Sequence, residues 1–178
     1  MKFSDIKPFT KSGTYEVDIP LDRLEETLEG YIEDWGLEMN PDFQRGNVWS
    51  KEQQIAYVEF FFRGGRTSRV IYFNCPKFGD EAPDCDMNNM VLVDGLQRLT
   101  ALIGFLNNTV PIFGHYLKDF DDKYYLGRVG LMVKFNINSL QHRKEVLQWY
   151  VDMNTGGTVH SDEEIKRVQR LIDKENSL

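Results

Sequence analysis

Histidine and cysteine are scarce in this chain: three and two in 178 residues. Two thiols make no disulfide framework. Cys75, Cys85, His115, His142 and His160 show no zinc-type spacing and suggest no Ser-His-Asp or Cys-His arrangement. No apolar run is long enough to span a bilayer, and the first residues lack a signal-peptide pattern. The expected setting is therefore the cytoplasm, with reduced thiols and no membrane partner. A basic excess is lacking too. Lys and Arg total 21 against 28 Asp and Glu, for a net charge of −7. Sequence-independent DNA binding needs a clear positive surplus, so DNA is a partner that the charge does not favour. No glycine-rich run ends in Lys-Ser or Lys-Thr, which excludes a Walker-type loop. There is no internal repeat and no low-complexity linker.

What is present is an ordinary globular balance, 41% apolar and 28% charged. The length suits one domain with a real core, expected over about residues 15–168. Charge is unevenly spread. Thr14 to Asp42 holds ten acidic residues and one basic one, Arg23. Phe43 to Val70 holds Arg45, Lys51, Arg63, Arg66 and Arg69 against Glu52 and Glu59. One reading is a solvated acidic helix followed by ordinary surface. The other gathers those cations with Arg98 around an anion.

Apolar periodicity predicts alternating elements. Tyr15 to Ile19 is a strand candidate, and Pro20 opens a helix with Leu21, Leu24, Leu28 and Tyr31/Ile32 on one face, stopped at Gly36. Ser50 with Gln53 is a capping box for a helix through Ile55, Val58, Phe61 and Phe62 to Gly64-Gly65. Tyr57, Phe60, Phe61 and Phe62 read as core rather than as a base-stacking platform. Val70 to Phe73 and Met90 to Val93 are strands. Gly95 opens a helix to about Asn107. Val110 to Phe113 and Leu131 to Phe135 are further strand candidates, with a turn at Asp119 to Asp122 between them. A helix from about Leu140 to Met153 ends at Asn154-Thr155-Gly156-Gly157, and Ser161 with Glu164 caps a last helix to about Lys174. This order predicts an α+β domain with a small mixed sheet.

Two motifs end alike, in Gln-Arg: Asn40-Pro41-Asp42-Phe43-Gln44-Arg45 and Val93-Asp94-Gly95-Leu96-Gln97-Arg98-Leu99-Thr100. The second lies where a strand turns into a helix. Gly95 allows a sharp turn. The helix amides beyond it face an anion, and Arg98 adds a donor fork that fits phosphate oxygens. Asp94 could ligate a divalent cation or orient Arg98. Thr100 could donate a hydroxyl. In the first motif Phe43 reads as core, Gln44 as an amide for base, ribose or phosphate, and Arg45 as a second cation. Equally, Asp94 could be a helix cap, Arg98 a surface charge and Arg45 a loop ion pair. Asn154-Thr155-Gly156-Gly157 could form an amide nest or simply end a helix.

In order, Asn-Pro-x-Phe-Gln-Arg, Trp49-Ser50 opening a helix, Val-Asp-Gly-x-Gln-Arg-Leu-Thr, and Met-Asn-Thr-Gly-Gly-Thr resemble the ParB/sulfiredoxin-like superfamily. The N-terminal domain of GmrSD-type, type IV restriction enzymes is the branch most resembled, from about Tyr15 to Val168. The resemblance implies a small mixed sheet with flanking helices and nucleoside-triphosphate binding and hydrolysis with Mg2+ or another divalent cation. It implies a phosphate and catalytic loop of Asp94, Gly95, Gln97 and Arg98, faced by Gln44 and Arg45 and closed by Asn154, Thr155, Gly156 and Gly157. A nuclease subunit or other protein is the implied partner. No His-Asn-His cluster occurs, so DNA cleavage by this chain alone is not expected. The family loop commonly reads Asp-Gly-Gln-Gln-Arg. Here Leu96 replaces the first Gln, which leaves either a core leucine or a lost nucleotide contact. Arg66-Thr67-Ser68-Arg69 stands where a proline-containing turn is usual. A DNA-binding or regulatory module and a non-catalytic interaction subunit are the rival expectations.

Overall fold

Local chemistry starts and stops the helices where the composition suggests. The Ser50 backbone N–H donates to Gln53 Oε1 at 2.9 Å while the Gln53 N–H donates to Ser50 Oγ at 3.3 Å, closing the capping box. Gly36 ends the first long helix in the left-handed region, at φ +63°. The computed structural model describes residues 2, 15–44, 46, 48–78, 85–128, 130–155 and 162–175. Within them are strands β1 (Tyr15–Pro20), β2 (Val70–Asn74), β3 (Val91–Asp94) and β4 (Met132–Asn138). The α-helices are α1 (Leu24–Trp35), α2 (Lys51–Phe62), α3 (Leu96–Leu106), α4 (Arg143–Thr155) and α5 (Asp162–Glu175).

The four strands form one mixed sheet in the order β1-β4-β2-β3. β1 runs antiparallel to β4, β4 parallel to β2, and β2 antiparallel to β3. The fold class is thus α+β, with helices on both faces of the sheet. Strand alternation sorts the side chains. Ile71, Phe73, Leu92, Val133, Phe135 and Ile137 point to one face and pack with Leu24 and Leu28 of α1, Val58 and Phe61 of α2, and Leu99 and Leu102 of α3. Val91, Val93 and Tyr72 point to the other and pack with Phe43, α4 and α5. That second face turns polar toward β1. There the Asn136 side chain donates to Glu16, the Asn138 side chain donates to Asn136, and Lys134 pairs with Glu16 and Asp18.

Several boundaries differ from expectation. Pro20 is followed by a 3-10 turn, Leu21–Arg23, before α1 begins. Val110 to Phe113 is no strand. Phe113 and Gly114 take positive φ and fold the chain back, leaving one isolated bridge between Ile112 and His115. The expected turn at Asp119 to Asp122 is flanked by two 3-10 turns, Leu117–Asp119 and Lys123–Gly127. α4 begins at Arg143 because the Asn74 side chain binds both the N–H and the carbonyl of Leu140 and draws that residue out of the helix. Tyr57 and Phe61 are buried, but Phe60 is exposed, against the expectation of a wholly core aromatic run. The Ser161–Glu164 capping box lies outside the described residues. No helix among the described residues is long and apolar enough to cross a membrane.

Candidate functional site at the β3–α3 junction

The second motif forms a tight strand-to-helix turn. β3 carries one extra residue, Val93, between its Asp94–Tyr72 and Leu92–Phe73 pairs, and such a bulge re-aims the side chain beside it. Gly95 follows at φ +114° and is the N-cap of α3. A Cβ there would stand 2.6 Å from Ile71 Cδ1, so the turn requires glycine both for its dihedral and for the close approach of β2. The first helical backbone bond runs from Leu99 N–H to Gly95 O. Among the described residues, no acceptor meets the amides of Leu96, Gln97 and Arg98 at the positive end of the helix. Leu96 itself is buried in the core.

Arg98 is held from two sides. One guanidinium nitrogen donates to the Val70 carbonyl at 2.6 Å, and the other donates to Asp94 Oδ2. The arginine side chain is 14% exposed and the carboxylate 35%, so solvent reaches the pair from the Asp94 side. Both of the alternative roles given to Asp94, ligand and orienter of Arg98, are compatible with this position, and the orienting contact is the one formed here.

Gln97 ties the second motif to the loop that follows the first. Its Nε2 donates to Gly46 O at 2.6 Å, and its Oε1 accepts from the amides of Val48 and Trp49 at 2.9 and 3.0 Å. The 40–50 loop is fixed from other sides too. Gln44 Nε2 donates to Leu92 O at 2.6 Å, while the Leu92 N–H donates to Glu38 O. Together Glu38 and Gln44 cover an edge of β3 that would otherwise offer open backbone groups. Phe43 is buried against Tyr150 of α4, with ring centroids 5.4 Å apart. Arg143 of α4 holds both oxygens of Asp42, and Arg167 of α5 donates to the carbonyls of Phe43 and Gln44 at 2.7 and 2.9 Å. These two ties had no signal in the sequence pattern, because they join positions about a hundred residues apart. Arg45 lies outside the described residues.

The structure therefore brings Gln44, Asp94, Gly95, Gln97 and Arg98 to one junction. Gln44, Gln97 and Arg98 act there as internal ties as well as candidate ligands. Thr100 is half-buried a turn further along α3, and among the described residues its hydroxyl has no partner. Asn154 is buried one turn after Tyr150, and its Nδ2 donates to the Tyr150 carbonyl of its own helix. α4 continues through Thr155, so Asn154 and Thr155 sit in the helix rather than beyond it. Gly156 and Gly157 lie outside the described residues. Lys51 and Arg69 are engaged with backbone carbonyls instead. Lys51 donates to Thr109 O, and Arg69 donates to the carbonyls of Phe61, Gly65 and Gly130.

Tyr57 stands behind the junction. Its ring lies 5.4 Å from Trp49, and its hydroxyl donates to Ser68 O at 3.0 Å. Burial pushes its phenol up to about 12, against the opposing pull of Arg98 and Arg69. No cluster of three or more His, Cys, Asp or Glu side chains suited to a metal occurs among the described residues. Asp94 fits a magnesium ion only in the manner of a single carboxylate completing a shell of phosphate oxygens and water. No protein-family model, no curated protein and no solved structure matches this chain.

Proposed function

We propose that this chain is a nucleotide-binding domain of the ParB/sulfiredoxin-like type, with metal-dependent hydrolysis of a nucleoside triphosphate as its activity. The observation that carries the reading is the Gln97 clamp, which ties the β3–α3 turn to Gly46, Val48 and Trp49, 48 to 51 residues earlier in the loop that follows the first motif. The amides of Leu96, Gln97 and Arg98 at the start of α3 are the candidate phosphate donors. Arg98 adds a cation once it exchanges Asp94 for phosphate oxygens, and Asp94 is then the ligand for Mg2+ or another divalent cation. The bound metal would screen phosphate charge. Gln44 and Gln97 keep the loop carrying Arg45 against the junction, and Thr100 and the Asn154–Gly157 segment are the further candidates for closing the site. Modification-dependent restriction, with a nuclease subunit as partner and a cytoplasmic setting, is the biological role this reading implies.

A second reading, a DNA-binding or regulatory module, has one observation in its favour. Lys166, Arg170 and Lys174 stand exposed at four-residue spacing along α5. Arg167, also exposed, donates to the loop carbonyls of Phe43 and Gln44.

Thermal unfolding with ATP, GTP, CTP or UTP, each with and without magnesium, tests the proposal. A ligand that binds the folded state raises Tm by mass action. One nucleotide is expected to raise it with magnesium present, and Asp94→Asn is expected to remove the magnesium dependence. If no nucleotide shifts Tm or binds in equilibrium dialysis, the chain is an interaction module that keeps only the junction's architecture.

A further inference from the structure

At the end of α3 opposite the junction, about 15 Å along the helix axis, the sheet is flanked by an apolar cavity of about 240 Å³. Three parts of the chain wall it. Phe62 comes from the end of α2, Phe105 from α3, and Leu117, Phe120, Tyr125 and Leu131 from the connection between α3 and β4. The aromatic side chains hold one another edge to face. Phe62 and Phe105 have centroids 4.9 Å apart, and Phe105 and Phe120 are 6.5 Å apart. The polar members of the wall, Asp122 and Lys123, are both exposed and stand at the mouth.

Three independent observations set this cavity apart from a packing fault. It opens to solvent on one side, and its wall is almost wholly apolar. An apolar void of about 150 Å³ already accepts benzene. The connection that forms one wall is far longer than the usual link between elements, and such ordered long connections tend to carry function. Beside the lining residue Ile112, Phe113 is held at φ +47°, its amide donating to Glu59 Oε1 and its side chain 53% exposed. A phenylalanine kept in the left-handed region with its ring in water is a strained arrangement of the sort found at ligand clamps.

We propose that the cavity is a binding site for a neutral small molecule of about two fused rings. The volume sets the size. The phenyl-rich wall selects flat apolar surface, with offset or edge-on ring contacts to Phe62, Phe105 and Phe120. A charged group on the ligand would have to remain at the mouth, beside Asp122 and Lys123, because the interior offers it no partner. The site is separate from the junction and independent of its proposed chemistry.

Indole and naphthalene, as probes, test this on the whole chain by methyl-resolved NMR. Each is expected to shift the methyl signals of Ile112, Leu117, Leu126 and Leu131 saturably, naphthalene with a dissociation constant on the order of 100 µM and indole, whose N–H finds no partner inside, more weakly. Leu117→Trp fills the space and is expected to weaken both at least tenfold while the remaining spectrum stays native. Absence of saturable shifts in the parent protein up to the solubility limit overturns the proposal, and needs no variant to fold. So does unchanged affinity in a natively folded Leu117→Trp. Binding of indole with none of naphthalene would also overturn it, since recognition would then rest on the N–H rather than on shape.

Discussion

The two Gln-Arg motifs look alike in sequence and are built in opposite ways. The β3–α3 turn is shaped from within: a bulge at Val93, a glycine at φ +114° pressed on Ile71, and a helix that starts at once. The 40–50 loop is shaped from without. Gln97, Leu92, Arg143 and Arg167 hold it, and each belongs to a different element. The first arrangement follows from short-range sterics and so is legible in a few residues. The second depends on tertiary contacts, and no local pattern reports it.

The largest test of that difference is at Gly95. Gly95→Ala brings a Cβ against Ile71 in a backbone region that alanine avoids. Strain and overpacking together are expected to cost about 3–5 kcal/mol, which for this size lowers Tm by roughly 6–20 °C. Calorimetry showing a loss under about 1 kcal/mol would mean that β2 yields and that the turn is not self-determined.

A smaller and more local effect is expected at Gln97. Gln97→Ala leaves Gly46 O and the amides of Val48 and Trp49 without their partner. Because water reaches part of the loop, about 1–3 kcal/mol is expected. Hydrogen exchange at Val48 and Trp49 should quicken at least tenfold while α3 stays protected. Equal quickening in α3 would show that the two regions open as one unit.

The smallest effect is one of pH, at the residue that backs both regions. Tyr57 titrates near 10 when unfolded and at about 12 when folded. The native state therefore keeps a proton that the unfolded chain releases. The resulting stability is complete below pH 10 and is lost as pH rises toward 12. Tyr57→Phe should flatten this part of an alkaline denaturation profile and lower neutral-pH stability by about 1 kcal/mol, through loss of the bond to Ser68 O. An unchanged alkaline slope in the variant would assign it to other groups.

The same contrast explains how much of the molecule was readable in advance. The capping box at Ser50, the stop at Gly36, the strand at Val70 and the strand-to-helix turn at Gly95 are local events, and the structure bears them out. Phe43 was also legible as core. The strand expected at Val110 to Phe113 failed because positive φ at Phe113 is imposed by tertiary contact, including the Glu59 bond. The start of α4 moved because Asn74, on a distant strand, captures Leu140. At the site the residue types at the junction were legible, but their partners were not. Nothing in the run Asp94 to Arg98 tells that Gln97 reaches back to Trp49, or that Val70 O takes one arm of Arg98.

The tie from Arg167 to Gln44 has a consequence in time. Its two ends are 123 residues apart. On a ribosome adding about 5–20 residues per second, roughly 6–25 s separate the synthesis of the loop from that of its last tether. For that interval the loop emerges without the arginine that holds its carbonyls, while α1, α2 and the β3–α3 turn can already form. The junction is thus among the last parts of the nascent protein to be completed, and the chain cannot present a finished site before nearly all of the domain has been made.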